Sequence, residues 1–213
     1  MTDAAGGAAA DSRRALATFA LHRSAGSGAW VEATGSSMTP LIQPGDRLYV
    51  EFGTGRPRLG QILLFPSGGR GVAHRLVRRR RSRGGELLVT RGDGNLHLDL
   101  PFPADQTFGV VRACRRAADG RVMPVVDGGV RAAAIASISY AMGNLLPAVE
   151  RLPWILGRPL GRGVRRVAPA LLARSVRAAA WSARSFDADR FASSPGARGL
   201  VEPTEGSVPK VGY

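Results

Sequence analysis

The chain has 213 residues, of which 44% are hydrophobic and 22% are charged, so it can hold one moderate domain with a sizeable core and lacks the composition of a disordered protein. Its net charge of +14 suggests an anionic partner (nucleic acid, an acidic lipid surface or an acidic peptide), although GC-rich coding explains the abundance of Arg, Ala and Gly equally well. The only lysine, Lys210 in a polar tail, disfavours a mechanism that needs a buried lysine, and the only cysteine, Cys114, excludes an internal disulfide.

The first 26 residues are expected to form a disordered or short helical segment. Residues 1–10 are rich in Ala and Gly and predict disorder, whereas residues 11–24 have helical propensity. The apolar run 15–21 is too short to span a bilayer and ends at His22 and Arg23. We therefore expect a short amphipathic helix here, with neither a secretory signal nor a membrane anchor.

Residues 27–127 form the predicted β-rich domain. Short apolar runs at regular spacing, separated by Gly and Pro, predict strands and indicate an all-β sandwich or barrel. The runs are 30–33, 47–52, 61–65, 71–77, 86–90, 108–115 and 122–126. Residues 78–85 contain five arginines and predict a solvated hairpin loop between two of these strands.

Residues 128–191 are predicted to form a basic helical extension, and residues 192–213 a disordered tail. The stretch 132–149 carries no formal charge before Glu150, and predicts either a packed helical hairpin or, less well, a transmembrane segment. The stretch 162–185 predicts a basic amphipathic helix, which either lies on an anionic membrane surface or covers the β-domain. The predicted fold class is therefore mainly β with a C-terminal α-helical extension.

Three short stretches combine residues that suit nucleophilic catalysis. Ser37 lies on a turn between Gly35 and Pro40, and a serine hydroxyl needs an adjacent base to act as a nucleophile. His74 lies in an apolar strand-like run, which would partly desolvate the imidazole and fix its direction. Asp93 and Asp99 both follow the next strand, and either carboxylate could hold the tautomer of His74. Each feature alone is common in structural turns and cores, so their joint occurrence carries the hypothesis.

Five boxes occur in one order: Gly-Ser-Ser-Met-Thr-Pro from residue 35, Pro-Gly-Asp from 44, Leu-Gly-Gln-Ile-Leu-Leu-Phe from 59, His-Arg from 74, and Thr-Arg-Gly-Asp-Gly-Asn from 90. This series resembles the ordered boxes of the signal peptidase I superfamily, which also contains the self-cleaving SOS-type repressors. The resemblance covers about residues 30–111 and implies the β catalytic core of those proteins. With His74 in place of the usual lysine base, the chain resembles the endoplasmic-reticulum and archaeal type.

The resemblance assigns roles residue by residue. Ser37, directly before Met38, matches the nucleophile, and His74 matches the general base. Asp99 is the better match for the acidic member of the triad, and Asp93 is the second choice. The family often has a serine where this chain has Gly35, so the oxyanion hole would use the Ser37 N–H and Ser36. The residues expected to bind the oxyanion or the substrate are therefore Gly35, Ser36 and Met38.

The predicted function is a serine endopeptidase that cleaves a peptide, or a signal- or leader-peptide precursor, without metal or cofactor. The location that we expect is cytoplasmic or peripheral to a membrane, through residues 162–185. The alternative is a catalytically degenerate module of the same fold that binds a peptide or a partner protein. Nucleic-acid binding is disfavoured, because aromatic residues make up only 6% of the chain and no known binding motif occurs.

Overall fold

A computed structural model describes residues 3–125, 129–150 and 210–211. A helix opens the chain, strands fill the middle, and a second helix follows them. The elements are α1 (Asp3–Ala25), β1 (Gly28–Ala33), β2 (Arg47–Phe52), β3 (Ile62–Ser67), β4 (Arg70–Ser82), β5 (Gly85–Arg91), β6 (Phe102–Pro103), β7 (Gly109–Arg115), β8 (Val122–Pro124), α2 (Gly129–Glu150) and β9 (Lys210–Val211), with a 3₁₀ turn at Ala104–Gln106.

The nine strands of the described residues form one sheet. Their order is β6-β5-β4-β3-β7-β2-β1-β9, and β8 pairs with β7. All neighbours are antiparallel except β1 and β9. The predicted fold class, mainly β with a helix on the C-terminal side, is confirmed.

Strand β3 shows how the core is built on both faces of the sheet. Its side chains alternate between two clusters: Ile62 and Leu64 belong to one, whereas Leu63 and Phe65 belong to the other. Such a continuous apolar run is what a strand needs when both of its faces are covered. Phe19 of α1 is fully buried in the first cluster, where it packs against Phe52.

Most of residues 78–85, predicted as a solvated loop, belong to strands in the structure. Strand β4 continues to Ser82, and only residues 83–84 form the turn to β5. Arg79 donates to the Glu86 carboxylate across the strand pair at 2.7 and 2.8 Å. The loop prediction was wrong because a cross-strand carboxylate offsets part of the positive charge and lets the ladder extend.

The ends of the chain also differ from the sequence expectation. Helix α1 begins at Asp3 rather than at residue 11, and α2 is one continuous helix rather than a helical hairpin. Lys210 and Val211, expected in a disordered tail, form β9 beside β1. In the part of the chain that the structure describes, no helix is long and apolar enough to cross a membrane. The predicted basic helix 162–185 lies outside the described residues.

Candidate active site

Ser37 lies on a turn that connects β1 to β2. The turn is held by backbone hydrogen bonds from the N–H of Thr39 to the carbonyl of Ser36 and from the N–H of Ile42 to the carbonyl of Met38, both 3.0 Å. The Met38 side chain is buried in the first core cluster, so it fixes the turn to the sheet from below. The Ser37 side chain therefore has a rigid base although the segment has no regular secondary structure.

His74 lies in the middle of β4, where its ring is brought to Ser37. The Ser37 Oγ and the His74 Nε2 are 2.7 Å apart, and the two residues are only 9% and 3% exposed. The Phe65 ring of β3 packs edge-on against the imidazole, with 6.2 Å between the ring centroids. The Phe102 ring of β6 stacks on Phe65, with 4.2 Å between their centroids. These aromatic contacts fix the direction of the imidazole, as the apolar strand pattern predicted.

Asp99 meets the other ring nitrogen of His74. The distance from Nδ1 to the Asp99 Oδ2 is 2.6 Å, and the same oxygen accepts a 2.7 Å hydrogen bond from the Thr90 hydroxyl. The Asp99 N–H also donates to the Thr90 carbonyl at 2.9 Å. Because an ionised carboxylate only accepts hydrogen bonds, Nδ1 carries the proton and Nε2 is left to accept from Ser37.

Asp93, the alternative carboxylate, has a different partner. Arg75 donates to both of its oxygens at 2.8 and 2.7 Å, and also donates to the Gly60 carbonyl at 2.7 Å. The Arg75 and Asp93 side chains are almost fully buried. Neighbouring residues of a strand point to opposite faces, so His74 faces Ser37 while Arg75 faces Asp93. The geometry thus brings Asp99, and not Asp93, to His74.

The loop between β5 and Asp99 closes over the site through its glycines. The Gly94 N–H donates to the Ser37 carbonyl at 2.7 Å. A Cβ at Gly92 would lie 2.9 Å from the His74 Nε2 and 2.7 Å from the Ser37 carbonyl oxygen. Only a glycine allows the loop backbone to pass this close to both the Ser37 carbonyl and the His74 ring.

The residues expected around an oxyanion lie at the entrance of the turn. Ser36 is exposed and Gly35 is half-buried. The Ser37 N–H makes no hydrogen bond to another described residue, whereas the carbonyl of the same residue is occupied by Gly94. Among the described residues, no acceptor therefore competes for the backbone donor that the sequence assigned to the oxyanion hole.

Met38 has a second contact that links the turn to the loop. Its sulfur accepts a 3.4 Å hydrogen bond from the Asp93 N–H. Met38 was expected at the substrate-binding end of the site, but its side chain is 1% exposed. It therefore contributes to the site as a buried support beneath Ser37.

Asp46 of the Pro-Gly-Asp box stabilises the surrounding backbone and does not contact Ser37, His74 or Asp99 through any hydrogen bond between described residues. The Asp46 carboxylate accepts hydrogen bonds from the N–H groups of Gln43 and Ala117, at 2.9 and 3.0 Å, and from Arg116 at 2.9 Å. Cys114 lies beside it, and burial together with the negative charge of Asp46 raises the pKa of the thiol to about 12. Cys114 is therefore a protonated core residue and not a nucleophile at neutral pH.

Sequence reasoning missed three contributors to the site: Thr90, Gly92 and Arg75. The first two lie in the box that the sequence singled out, but no role followed from their identity alone. Arg75 follows His74 directly, and an arginine among buried strand residues is a signal for a paired carboxylate. In the described parts of the chain, no group of three or more His, Cys, Asp or Glu side chains is arranged to hold a metal ion.

Comparison with known proteins adds no further identification. No protein-family model matches the chain, and no curated protein is significantly similar to it.

Proposed function

We propose that this protein is a serine endopeptidase of the signal peptidase I type, with Ser37 as nucleophile, His74 as general base and Asp99 as the acidic partner. The observation that carries the proposal is the continuous chain of contacts from the Ser37 Oγ to the His74 Nε2 at 2.7 Å and from Nδ1 to Asp99 at 2.6 Å. The order of the five sequence boxes supports the same family. The substrate class that we propose is a peptide or a leader-peptide precursor.

In the proposed mechanism, the Ser37 oxygen attacks the carbonyl carbon of the scissile peptide bond while His74 takes the hydroxyl proton at Nε2. The negative charge that develops on the carbonyl oxygen is stabilised by the Ser37 N–H. The intermediate collapses when the C–N bond breaks and His74 gives its proton to the leaving amine, which leaves an ester on Ser37. Water then attacks the ester, His74 takes a proton from the water, and the proton returns to Ser37 as the acid product leaves. Asp99 stabilises the imidazolium in both halves of the reaction.

The test exposes the purified full chain to a diverse peptide mixture and identifies the products by mass spectrometry. Three forms are compared: the unchanged chain, Ser37→Ala, and Ser67→Ala, which removes an exposed serine at the end of β3. We expect the same products from the unchanged chain and from Ser67→Ala, and none from Ser37→Ala. The termini of the products then define the specificity.

One outcome would support the alternative of a degenerate binding module. If no form cuts any peptide, including peptides encoded beside the gene, while the unchanged chain and Ser37→Ala retain the same peptides, the catalytic proposal is wrong. The half-buried Gly35, at a position where the family often has a serine, is the feature that favours this alternative.

We further propose that residues 162–185 hold the enzyme at the periphery of an anionic membrane, with the cytoplasm as the alternative location. The support is the sequence pattern, in which Arg166, Arg174, Arg177 and Arg184 lie opposite an apolar face. Co-sedimentation with vesicles that contain anionic lipid, and not with purely zwitterionic vesicles, is the expected result. Equal sedimentation with both, or with neither, would contradict it.

A further inference from the structure

Helix α2 contacts the loop that carries Asp99 through one buried arginine. Arg91 is the last residue of β5 and is 2% exposed. Its Nη1 donates a 2.8 Å hydrogen bond to the hydroxyl of Ser139, a residue of α2 that is fully buried, and its Nη2 donates to the carbonyl of Asn95 in the loop. One side chain thus joins the helix to the segment that runs over the catalytic serine and histidine.

The charge of Arg91 is buried at a cost that packing alone does not explain. Arg91 forms no ion pair within 4 Å among the described residues, and the carboxylates of Asp93 and Asp99 pair with Arg75 and His74 instead. Its Nε is buried and has no hydrogen-bond partner among the residues that the structure describes. Burial lowers the pKa of the guanidinium, although the charges of Asp93 and Asp99 oppose this effect. The hydrogen bonds that hold this buried cation go to the Ser139 hydroxyl and the Asn95 carbonyl, so Arg91 connects α2 to the loop.

A second contact between α2 and the loop lies next to Asp99. Gly143 packs so closely on this region that a Cβ there would lie 2.8 Å from the Leu98 Cδ2 and 3.2 Å from the Arg91 Cδ. The helix therefore touches the loop at its start, through Arg91, and at Leu98, one residue before the carboxylate that orients His74. Between these two points lie Gly92 and Gly94, which contact the catalytic pair.

We propose that α2 is the positioning element of the catalytic loop, and that Arg91 and Ser139 are the positioning residues that set Asp99 and the tautomer of His74. The inference rests on the proposed function for its effect on rate, but its structural part concerns only the His74 ring. Neither residue touches the reacting atoms. Their effect is expected through the orientation of the His74–Asp99 pair, which is the kind of support that active-site side chains need.

The chain offers a matched pair of substitutions for the test. Ser139→Ala removes the α2 hydroxyl that accepts from Arg91, and Tyr140→Phe removes the neighbouring α2 hydroxyl that accepts from Arg78. Both remove one oxygen from the same helix, and both break a hydrogen bond between α2 and an arginine of the sheet. Only Ser139 is connected to the loop over the catalytic pair. A third form, Arg91→Met, removes both hydrogen bonds to the helix and the loop.

The primary readout does not depend on activity. The full chain contains three histidines, and long-range ¹H–¹⁵N spectra of the ¹⁵N-histidine-labelled protein report which ring nitrogen of each carries the proton. Comparison with a His74→Gln form assigns the His74 signals. We expect a single Nδ1–H tautomer at His74 in the unchanged chain and in Tyr140→Phe, and a shift towards mixed tautomers in Ser139→Ala. Once a substrate peptide is known, we expect kcat to fall about tenfold in Ser139→Ala with KM unchanged, the size of one hydrogen bond to a charged group.

The outcomes separate this inference from the proposed function. Unchanged His74 signals in Ser139→Ala, or the same change in Tyr140→Phe, would overturn the inference even if the protein is an active peptidase. The expected spectra in a protein that cuts no peptide would uphold the positioning role and refute only the proposed activity. If Arg91→Met does not fold, the Ser139 and Tyr140 pair still decides.

Discussion

A methyl group at position 92 should separate Ser37, the proposed nucleophile, from His74, its proposed base. In Gly92→Ala the new Cβ would start 2.7 Å from the Ser37 carbonyl oxygen and 2.9 Å from the His74 Nε2. Ordinary contacts of this kind begin near 3.4 Å, so the loop, the turn and the ring must move apart by about 0.5 to 0.7 Å. The Ser37 carbonyl cannot move freely, because it accepts the Gly94 N–H at 2.7 Å.

The expected loss of activity follows from the hydrogen bond between Ser37 and His74. That bond is 2.7 Å long, and a displacement of this size would stretch it to about 3.3 Å, beyond the range in which O–H···N contacts transfer a proton well. General-base catalysis contributes about 10²- to 10⁴-fold. We therefore expect the cleavage rate to fall at least about 100-fold, whereas overpacking of one methyl lowers the free energy of unfolding by only about 1 to 3 kcal/mol.

The assay compares cleavage of one identified peptide with urea denaturation of the same preparations. Gly94→Ala is the milder comparison in the same loop, since a Cβ there would lie 3.1 Å from the Thr39 Oγ1 and 3.3 Å from the Ser37 carbonyl oxygen, which are smaller overlaps than those at Gly92. We expect it to lose no more than about threefold in rate. A Gly92→Ala form that is as active as Gly94→Ala would refute the close packing of the loop on the catalytic pair.

Three further predictions concern buried or shifted charges. Arg75→Met leaves the Asp93 carboxylate buried without its partner and should lower the free energy of unfolding by about 3 to 5 kcal/mol, with partial recovery in Arg75→Met/Asp93→Leu, measured by urea denaturation; a loss below about 1 kcal/mol would contradict the pair. The pKa of Glu86 is lowered to about 2, chiefly by hydrogen bonds from Arg79, so the stability that it adds is present above its ordinary pKa and is lost as the pH falls through about 2. Glu86→Gln should therefore cost about 0.5 to 1 kcal/mol at pH 7, and this cost should shrink as the pH falls from the ordinary pKa of Glu towards about 2; a difference that does not depend on pH would refute this. Cys114, whose thiol pKa burial raises to about 12, should resist iodoacetamide at pH 8 in the folded protein and react in urea; rapid alkylation of the folded protein would contradict its burial.

The sheet was largely predictable because its strands are regular in sequence. Strands β2 and β7 carry apolar runs bounded by turn residues, and the structure places them side by side as long antiparallel neighbours. Strand β9 was not predictable, since two residues that pair in parallel with β1 carry no periodic pattern. The arginines of β4 predict a loop because a local sequence pattern shows only a run of like charges. Their place in a strand depends on β5, where Glu86 lies opposite Arg81 in the strand pair.

The sequence was enough to predict which residues belong to the candidate site, but not which of them contact each other. The order of the boxes was enough to select Ser37, His74 and two carboxylates. Spacing along the chain could not decide between Asp93 and Asp99, because the choice depends on which face of β4 each carboxylate meets. The link from Arg91 to Ser139 joins residues 48 positions apart, and no local pattern in either segment indicates it.

The most direct test of the catalytic proposal is whether Ser37 and His74 act as one unit. Cleavage of a single peptide should be measured for the unchanged chain, Ser37→Ala, His74→Gln and the double variant. If the two side chains work together, each single substitution lowers the rate to the same residual level and the double variant is no slower. A single variant that keeps the unchanged rate, or losses that multiply in the double variant, would contradict the account.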